Sequence, residues 1–483
     1  MRLLEGLQPE RVLYYFEEIT KIPRCSYDEE RISNYLAKVG KDLGLEVIQD
    51  DALNVIIKKP AFKGYENKPV VVLQGHMDMV CEKSDNSNID FSKDPIDISV
   101  DGDFLMSKET TLGADNGIAV AMCLALLESK DIPHPALEIL ITSNEESGMT
   151  GANKLNPEGI SGKILINIDS EEEGTILVSC AGGERNFITV PLEKEDIDSE
   201  RNIYSLKVSG LLGGHSGMEI DKGRGNSNKI IGRVLDALNK SLDLSLISIE
   251  GGSKSNAIPR LSKAIIAIDN KELELAKSII EKFQDDLAAE FSSCDKDVKI
   301  SFEKADNSMK NILSKATKDK IISALILIPN GVQSMSMDIK GLVESSINLG
   351  VVKTLEDNVT IECSLRSSIG SLKRKIANEL FTISKILNLK YEISSSYPAW
   401  EYKKKSYIRE VFKDAYRELT GEELNVTAIH AGLECGLFDE KFDNMDMVSF
   451  GPNMYGVHAP GEKLSLSSTK RTWDLLLKVL EKI

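Results

Sequence analysis

The sequence predicts an α/β protein whose main domain is discontinuous and contains an inserted α+β domain. In the first part of the chain, short apolar runs alternate with amphipathic helical patterns, which is typical of a sheet that carries helices on its faces. The middle of the chain instead contains strands, helices and paired strands, and the first pattern returns near the C-terminus. We predict that the main domain spans 1–185 and 396–483 and that the inserted domain spans 186–395.

The individual elements follow from the spacing of the apolar residues. Apolar residues three and four positions apart predict helices, and short apolar runs rich in β-branched residues predict strands. In the main domain the predicted helices are Asp28–Leu43, Gly117–Ser129, Ser406–Leu419 and Ser468–Ile483. The predicted strands of the same domain are Val70–Leu73, Leu137–Ile141, Ile164–Ile168 and Met447–Phe450. The predicted elements of the inserted domain are the strands Ile203–Val208 and Val359–Cys363 and the helices Glu272–Ala289 and Leu372–Leu387.

Five polar clusters stand beside the predicted elements of the main domain. Four of them directly follow a predicted strand, and the fifth directly precedes a predicted helix. Their charged residues are His76, Asp115, the pair Glu145 and Glu146, Asp169, and His458. Ligands of open α/β sheets bind beyond the carboxyl ends of the strands. We therefore expect these residues to meet at one edge of the sheet. Because His458 lies near the C-terminus, this meeting requires a discontinuous domain.

The residue types in the clusters indicate a site for two divalent metal ions. Imidazole with carboxylate suits zinc, and also cobalt or manganese. None of the clusters contains a cysteine, so they do not indicate an all-thiolate structural zinc site. Asp115 has two carboxylate oxygens at a predicted helix start, and it is suited to bridge two ions that lie about 3.5–4 Å apart.

The spacing inside two clusters predicts different roles for neighbouring residues. His76 and Asp78 are two positions apart, so in an extended segment they point to the same side. Asp78 can then accept a hydrogen bond from the ring N–H of His76 and fix its tautomer. Glu145 and Glu146 are adjacent, so their side chains diverge. One of them can be a metal ligand while the other stays free as a proton shuttle.

Each cluster also has a purely structural explanation. A single histidine after a strand is often structural, an isolated Glu-Glu pair is usually part of a solvated turn, and Asp-Asn-Gly before a helix is commonly an N-cap. These explanations are independent of one another, whereas all five clusters share one predicted location. The metal site explains that shared location, and we favour it.

Taken together, these motifs resemble the co-catalytic di-zinc peptidases, a family that includes aminoacylases, carboxypeptidase G and carnosinase. The resemblance is carried by Gly-His-Met-Asp, Gly-Ala-Asp-Asn-Gly, Asn-Glu-Glu-Ser-Gly, Ile-Asp-Ser-Glu-Glu and Val-His-Ala-Pro-Gly-Glu. Within the family, the sequence is most similar to the cytosolic aminoacyl-histidine dipeptidases, also called Xaa-His or non-specific dipeptidases. The likeness runs over nearly the whole chain.

The resemblance implies a zinc-peptidase catalytic domain with two metal ions per chain. One ion would be held by His76, Asp115 and Asp169. The other would be held by Asp115, Glu146 and His458. None of these positions departs from the family pattern. Zinc is the expected metal, with cobalt or manganese as alternatives.

The implied reaction is metal-dependent hydrolysis of the peptide bond of Xaa-His and other dipeptides. The two zinc ions would activate a water molecule with Glu145 as the general base, and Asp78 would orient His76. Two alternatives stay open: an N-acyl amino-acid deacylase on the same site, and a non-catalytic metal-binding homologue. Such homologues usually lose the base or a ligand, and every one of these residues is present here.

The resemblance also implies that the inserted domain is a lid and dimerisation domain. The resemblance extends to the motifs at 213–217, 251–260, 363–368 and 430–436. The substrate-binding residues that it implies are His215, Asn256, Arg366, Gly432 and Glu434. In related enzymes the lid histidine can come from the partner subunit, so a homodimer is expected.

Two of these lid residues have structural explanations as well. His215 is implied to donate a hydrogen bond to the oxyanion, because the glycines around it allow close backbone approach. A loop histidine can instead cap the local backbone. The guanidinium of Arg366 fits a substrate carboxylate, but an arginine that ends a strand often forms a surface ion pair. His134 and His430 are expected to be structural or to support the site indirectly.

Composition is consistent with a cytoplasmic enzyme. The 76 acidic residues outnumber the 59 basic ones in the 483-residue chain, which argues against nucleic acid and anionic membranes as partners. The seven cysteines form no C-x-x-C pair, and we expect them to be reduced thiols. The N-terminal residues are too charged for a signal peptide, and no uncharged apolar run is long enough for a membrane helix.

Overall fold

The computed structural model describes residues 2–198, 201–306, 309 and 311–483. The chain forms two compact units. The first unit contains Met1–Ser179, Tyr402–Ala428 and Leu433–Ile483, and the second contains Cys180–Glu401 and Ile429–Gly432. The predicted fold class, an α/β domain interrupted by an α+β domain, is confirmed. The exact domain bounds that we gave from the sequence stay a prediction.

The α-helices of the described residues are, in chain order, α1 Glu10–Ile19, α2 Glu30–Asp42, α3 Ala114–Glu128, α4 Thr150–Lys154, α5 Ser227–Ser241, α6 Leu273–Glu290, α7 Lys315–Leu327, α8 Gly370–Ile386, α9 Tyr407–Thr420, α10 Glu434–Lys441 and α11 Leu466–Lys482. Every predicted helix coincides with one of these, and the bounds differ by a few residues.

The strands of the described residues are β1 Glu46–Gln49, β2 Val55–Lys59, β3 Val71–His76, β4 Ser99–Asp101, β5 Phe104–Met106, β6 Leu137–Thr142, β7 Ile164–Asn167, β8 Thr175–Cys180, β9 Gly182–Pro191, β10 Lys194–Asp196, β11 Arg201–Ser209, β12 Gly214–His215, β13 Ser245–Gly251, β14 Ala257–Ile258, β15 Ser262–Asp269, β16 Lys299–Lys304, β17 Asn311–Leu313, β18 Gly331–Met335, β19 Val343–Thr354, β20 Asn358–Ser367, β21 Lys390–Tyr397, β22 Asn425–Ile429, β23 Asp446–Ser449, β24 Met454–Tyr455 and β25 Lys463–Ser465. Every predicted strand overlaps one of these, and the bounds differ by a few residues.

The main sheet of the first unit has the strand order β1-β2-β6-β3-β7-β23-β8-β22. Its four central strands, β6, β3, β7 and β23, are parallel to one another. In register, His76 pairs with Thr142, and Asn167 pairs with both Gln74 and Ser449. The carboxyl ends of these strands therefore share one edge of the sheet, where ligands bind in open α/β folds.

Helix α3 lies against β3 and against α1. Every residue from Asn116 to Leu127 is buried, as expected for a helix that is apolar on all sides. Gly75 of β3 allows this close approach. A Cβ atom at position 75 would lie 2.4 Å from the Asn116 side-chain oxygen and 2.6 Å from the Cβ of Ala119. The glycine therefore brings the start of α3 up to the end of β3.

A separate four-stranded sheet with the order β24-β25-β5-β4 carries the His458 loop. The loop runs from β24 to β25, and β25 is anchored by antiparallel pairing with β5. The prediction that this cluster directly follows the strand at Met447–Phe450 is wrong, because β24 lies between that strand and His458. His458 lies in the hairpin formed by β24 and β25, and these strands have too few residues to show an alternating apolar pattern in the sequence.

The second unit is built on an antiparallel sheet with the order β16-β11-β15-β13-β19-β20-β9-β21, and β18 also pairs with β19. Helices α5 to α8 contact this sheet and share one apolar core with it. Two smaller antiparallel pairs, β10 with β17 and β12 with β14, belong to the same unit. This is the predicted α+β architecture.

The cysteines differ from the prediction. Cys25 and Cys81 form a disulfide, so the expectation of seven reduced thiols is wrong for this pair. The two residues are 56 positions apart, and they meet because Cys25 forms a β-bridge with Met79. The other five, Cys123, Cys180, Cys294, Cys363 and Cys435, are not in a disulfide. No helix of the described residues is long and apolar enough to cross a membrane.

Candidate metal centre

Asp115 lies between two histidines of the first unit, His76 and His458. Its Oδ1 atom is 3.1 Å from Nε2 of His76, and its Oδ2 atom is 3.2 Å from Nε2 of His458. Asp115 is at the start of α3, where its backbone is not helical, so its side chain projects from the end of the helix. The two oxygens of one carboxylate thus each face a different imidazole.

Each histidine has a second carboxylate beside it. Asp169, two residues beyond β7, has its Oδ1 atom 3.4 Å from Nε2 of His76. Glu146, in the loop after β6, has its Oε1 atom 3.1 Å from Nε2 of His458. Donor atoms of His76, Asp115 and Glu146 all lie within 4.8 Å of one another. The five predicted ligand residues are thus brought together at one edge of the main sheet.

Asp78 is completely buried and holds several parts of the site in place. Its Oδ1 atom is 3.3 Å from Nδ1 of His76, the ring nitrogen that points away from Asp115. Its carboxylate also accepts hydrogen bonds from the backbone N–H groups of Glu145 and Glu146 and from the Ser26 hydroxyl. Burial acts to raise the pKa of Asp78, but these hydrogen bonds and the His76 ring lower it below its ordinary value.

Two further buried residues connect the strand ends and were not singled out from the sequence. Asn116 accepts a hydrogen bond from the backbone N–H of His76 and donates one to the carbonyl of Ile168. Arg24 donates to the carbonyls of Met77 and Asp78 and to that of Gly113. Asn116 lies inside the Gly-Ala-Asp-Asn-Gly motif and was open to prediction, whereas no local pattern marks Arg24.

Glu462 holds the loop that carries Asp115. Its two carboxylate oxygens accept hydrogen bonds from four consecutive backbone N–H groups, those of residues 112–115, at 2.7–3.3 Å. Burial raises the pKa of Glu462, although the N–H donors act to lower it. Because Glu462 belongs to the same loop as His458, one hairpin supplies a predicted ligand and fixes the position of another. Its place four residues after His458, in the motif Val-His-Ala-Pro-Gly-Glu, was the available signal.

The carboxylates of the site are crowded, and their pKa values differ strongly. Burial, with the charges of Asp115 and Glu146, raises the pKa of Asp169 to about 6 even though His76 acts to lower it. Burial also raises the pKa of Glu145 well above its ordinary value, as do the charges of Asp169 and Glu434. Hydrogen bonds that the His458 ring donates to the carboxylates of Asp115 and Glu146 raise the pKa of His458 to about 11.

Glu434 lies beneath this edge of the sheet, at the start of α10. It is completely buried, and its Oε2 atom accepts hydrogen bonds from Gln74 at 2.6 Å and from Thr142 at 2.8 Å. Burial raises the pKa of Glu434 to about 8. The resemblance implied a pocket-lining residue, and its contacts are with the strands β3 and β6.

The residues of this cluster fit divalent metal ions. Two imidazoles and three carboxylates are the donor set that zinc, cobalt or manganese prefers. Burial is the main cause of the raised pKa of Asp169, and the nearby charges of Asp115 and Glu146 add to it, so bound cations would offset the crowding of these carboxylates. The facing pairs, one histidine and one carboxylate on each side of Asp115, fit two ions that share a bridging carboxylate.

The second unit contains four of the predicted substrate-binding residues. His215 lies in β12, which pairs with β14, and β14 begins one residue after Asn256. The backbone N–H of Ser216 donates a hydrogen bond to the carbonyl of Asn256. Nδ1 of His215 accepts hydrogen bonds from the backbone N–H groups of Gly217 and Met218, both at 3.3 Å. The ring therefore caps its local backbone through Nδ1 and carries its proton on Nε2. His215 and Asn256 are thus neighbours.

Arg366, at the end of β20, is buried rather than part of a surface ion pair. Its Nη1 atom donates to the hydroxyl of Tyr397 at 3.1 Å, and its Nε atom has no hydrogen-bond partner among the described residues. Gly432 lies in the short segment 429–432 of the same unit. His430, in that segment, contacts Ser346 through Nε2 at 2.7 Å, which is consistent with the supporting role that we expected.

His134 belongs to the first unit, and its contacts are with Pro135 and Phe62 rather than with the predicted ligands. It is buried, and its Nδ1 atom is 2.7 Å from the carbonyl of Pro135. This hydrogen bond is local, as expected for a structural histidine.

Comparison with known proteins finds relatives of this chain among the dipeptidases. The chain is 39% identical to the cytosol non-specific dipeptidase of Escherichia coli, over 100% of this chain and 99% of the relative. The crystal structure of aminoacylhistidine dipeptidase from Vibrio alginolyticus has a TM-score of 0.95 and 39% identity, covering 99% of this chain and 98% of that one. The M20 family metallo-carboxypeptidase Sso-CP2 of Sulfolobus solfataricus shares the fold, with a TM-score of 0.51 at 14% identity, covering 98% of this chain and 99% of that one.

The chain belongs to the M20 family of metallopeptidases. The predicted membership on the dipeptidase branch of co-catalytic metallopeptidases is confirmed. The predicted cytoplasmic location is also confirmed by the relationship with the cytosol enzyme.

Two further comparisons concern the parts of this M20 chain. Residues 206–293, in the second unit, match the model of the peptidase dimerisation domain. The aminopeptidase PepT from Bacillus cereus has a TM-score of 0.57 at 18% identity, and both chains are covered to 99%. That likeness concerns the fold alone. The family to which this chain belongs is one of metal-dependent peptidases.

Proposed function

We propose that this protein hydrolyses the peptide bond of dipeptides, Xaa-His and others, with two divalent metal ions bound per chain. The observation that carries the proposal is the position of Asp115, whose two oxygens each face a different histidine. Each histidine is accompanied by one further carboxylate. The E. coli relative, at 39% identity over the full chain, is a non-specific dipeptidase.

The proposed ligands of the first ion are His76, Asp115 and Asp169, and those of the second are Asp115, Glu146 and His458. Zinc is the proposed metal, and cobalt or manganese would suit the same donors. When bound, such ions supply a Lewis acid for the scissile carbonyl and acidify a water molecule. Asp78 orients His76, since its carboxylate lies 3.3 Å from Nδ1 of the His76 ring.

Glu145 is the proposed general base. The buried Asp78 carboxylate holds its backbone N–H at 3.0 Å, which fixes the start of its side chain beside the ligands. Burial raises the pKa of Glu145, so the carboxylate binds a proton readily. It would take the proton of the attacking water and later pass it to the leaving amine. The side chain of Glu146 diverges from that of Glu145 and faces His458, so Glu146 is the proposed ligand.

The second unit is proposed to bind the rest of the substrate and to form a homodimer. His215 has its Nε2–H available because Nδ1 is already an acceptor, so it can donate to the oxyanion. Arg366 is proposed to bind the substrate carboxylate and Asn256 its carbonyl, while Gly432 and Glu434 line the pocket. The match of residues 206–293 to a dimerisation domain supports the homodimer.

The function is tested by assaying one preparation with a panel of dipeptides that includes Xaa-His and with N-acetyl amino acids. We expect hydrolysis of the dipeptides, and elemental analysis should find up to two transition-metal ions per chain. Chelation should abolish activity, and added zinc, cobalt or manganese should restore it. Preference for the N-acetyl substrates would make the protein a deacylase, and active protein without a transition metal would overturn the proposed mechanism.

A further inference from the structure

A disulfide lies at the rim of the proposed metal centre and takes no part in the reaction described above. It joins Cys25, in the loop before α2, to Cys81, five residues beyond the last residue of β3. Both cysteines are partly exposed, whereas four of the five cysteines outside the disulfide are buried. A reagent that reacts with exposed sulfur would therefore reach this pair before most of the others.

The loop that carries Cys25 is hydrogen-bonded to the segment that follows the proposed ligand His76 and contains Asp78. Arg24 donates to the carbonyls of Met77 and Asp78. The Ser26 hydroxyl donates to the Asp78 carboxylate at 2.8 Å, and backbone hydrogen bonds join Arg24 and Ser26 to Met79. The disulfide adds a covalent link between the same two segments. It therefore fixes the segment 24–26 against the segment 77–81, which follows His76.

We propose that Cys25 and Cys81 form a reversible thiol–disulfide pair that controls how firmly Asp78 is held beside His76, and thereby the affinity of the first metal position. The inference rests on the proposed metal centre. Cytosolic disulfides in proteins of this kind are usually transient and redox-sensing rather than structural. Residues that orient a metal-bound histidine typically change metal affinity by about 10–100-fold when they are altered.

The proposed exchange is a two-electron reaction with a cellular dithiol, either a protein or a small molecule. A thiolate of the dithiol attacks one sulfur of the pair, the S–S bond breaks, and the other cysteine leaves as a thiolate that takes up a proton. The second thiol of the reagent then attacks the mixed disulfide. The products are two cysteine thiols in the protein and the oxidised, disulfide form of the reagent.

The test compares the metal-free protein in two states. One sample is reduced with dithiothreitol and desalted without oxygen, and the other is oxidised with diamide. Differential alkylation and peptide mapping should show Cys25 and Cys81 modified in the reduced sample and protected in the oxidised one. We expect amide hydrogen exchange of residues 22–28 to be faster in the reduced sample. Titration with Zn²⁺ against a chromogenic chelator should give a weaker first-site affinity there, by about tenfold.

Variants separate this pair from the rest of the chain. The double variant Cys25→Ser/Cys81→Ser should bind Zn²⁺ like the reduced protein and should not respond to diamide. Cys294→Ser is the matched control, because Cys294 is the free cysteine that is partly exposed, and it should keep the full response. Ser26→Ala should reduce the difference between the two states, since it removes one link to Asp78.

Two results would overturn the proposal: a pair that stays reduced in diamide, and equal Zn²⁺ affinity and hydrogen exchange in both states. Neither measurement contains a peptide substrate. A protein that shows the redox response but cleaves no dipeptide would therefore contradict the proposed function and leave this inference standing.

Discussion

At the residue scale, the site separates carboxylates of the same chemistry by their surroundings. Glu145 and Glu146 are neighbours in sequence, and both backbone N–H groups donate to Asp78. Their side chains nevertheless have different environments. Glu146 lies 3.1 Å from His458, while the pKa of Glu145 is raised by burial and by the charges of surrounding carboxylates. We propose that this difference divides the ligand from the base.

The first prediction concerns this pair of glutamates. Glu145→Gln keeps the size of the side chain and removes its ability to accept a proton. Bound metal should stay, while kcat falls by about 10²–10⁴-fold. Glu146→Gln removes an anionic ligand, so one metal should bind more weakly and activity should be lost with it. Metal analysis and steady-state kinetics on both variants check these expectations.

Titration with excess metal then distinguishes the two roles. Added Zn²⁺ should partly restore Glu146→Gln and should leave Glu145→Gln inactive. Restoration of the Glu145 variant by metal would mean that the assignment of base and ligand is reversed.

A second prediction at this scale concerns Glu462, which the sequence did not single out. Glu462→Gln replaces a carboxylate that four backbone N–H groups share, so it should destabilise the fold by about 1–3 kcal/mol and weaken metal binding at Asp115. Thermal unfolding and Zn²⁺ titration measure the two effects. Glu109→Gln is the control, because that exposed carboxylate accepts a hydrogen bond from Ser84 alone among the contacts of the described residues. Equal Zn²⁺ affinity in both variants would show that Glu462 does not position Asp115.

At the scale of the elements, single side chains hold the ends of helices and hairpins. Lys229, near the start of α5, donates to the carbonyls of Leu325, Ile326 and Ile328 at the C-terminal end of α7. A cation there satisfies carbonyls that have no partner inside the helix, and it also interacts favourably with the helix dipole. The contact between α5 and α7 is thus electrostatic as well as apolar.

The prediction for this contact is that Lys229→Met lowers the free energy of unfolding by about 1–3 kcal/mol, since the methionine keeps the apolar stem and leaves the carbonyls unpaired. Lys240→Met is the matched control on the same helix, because Lys240 forms an exposed pair with Asp236. Pairs of that kind contribute little. Denaturant unfolding of both variants at pH 7 gives the comparison, and equal losses would contradict the capping role of Lys229.

The β12–β14 pair provides the other prediction at this scale. The pair holds His215 with its Nδ1 atom bonded to local N–H groups, so the ring orientation is set before substrate binds. His215→Ala should therefore lower kcat while metal content stays at the wild-type level. His430→Ala serves for comparison, since His430 contacts Ser346 and is proposed to have a supporting role. Wild-type kcat in His215→Ala would remove this histidine from the proposed site.

At the scale of the whole molecule, the chain separates chemistry and assembly between two units. The proposed metal ligands belong to the first unit, whereas four of the proposed substrate-binding residues and the dimerisation domain match belong to the second. The proposed homodimer would place two second units in one particle. The resemblance implies that the lid histidine can come from the partner subunit, and the proposed dimer would then be part of the proposed site.

The last prediction tests that arrangement by mixing two inactive proteins. His215→Ala and Glu145→Gln are combined, dissociated and reassociated. If His215 serves the partner's site, a mixed dimer contains one site with both residues intact, and random reassociation should restore about a quarter of wild-type activity. Sedimentation should show a particle of twice the 53.3 kDa chain mass. Absence of recovery in verified mixed dimers would mean that His215 acts within its own chain.

The sequence by itself predicted the elements and the residue types of the proposed site. Helices and strands depend on apolar spacing over one short segment, and that spacing is legible in the chain. The ligand types and their place after the predicted strands depend on residue identity, so the expected group of His76, Asp115, Glu146, Asp169 and His458 could be named before any contact was known.

The tertiary structure decided which distant residues meet. Arg24 reaches Gly113, Glu462 reaches the start of α3, and Cys25 reaches Cys81, in each case across more than fifty positions. The position of the His458 loop, which joins two strands of a separate four-stranded sheet, was likewise decided by the tertiary structure. The physical reason is that hydrogen-bonding groups and thiols have no periodic signal. Their partners are set by the packing of strands and helices against one another, and that packing exists only in the folded chain.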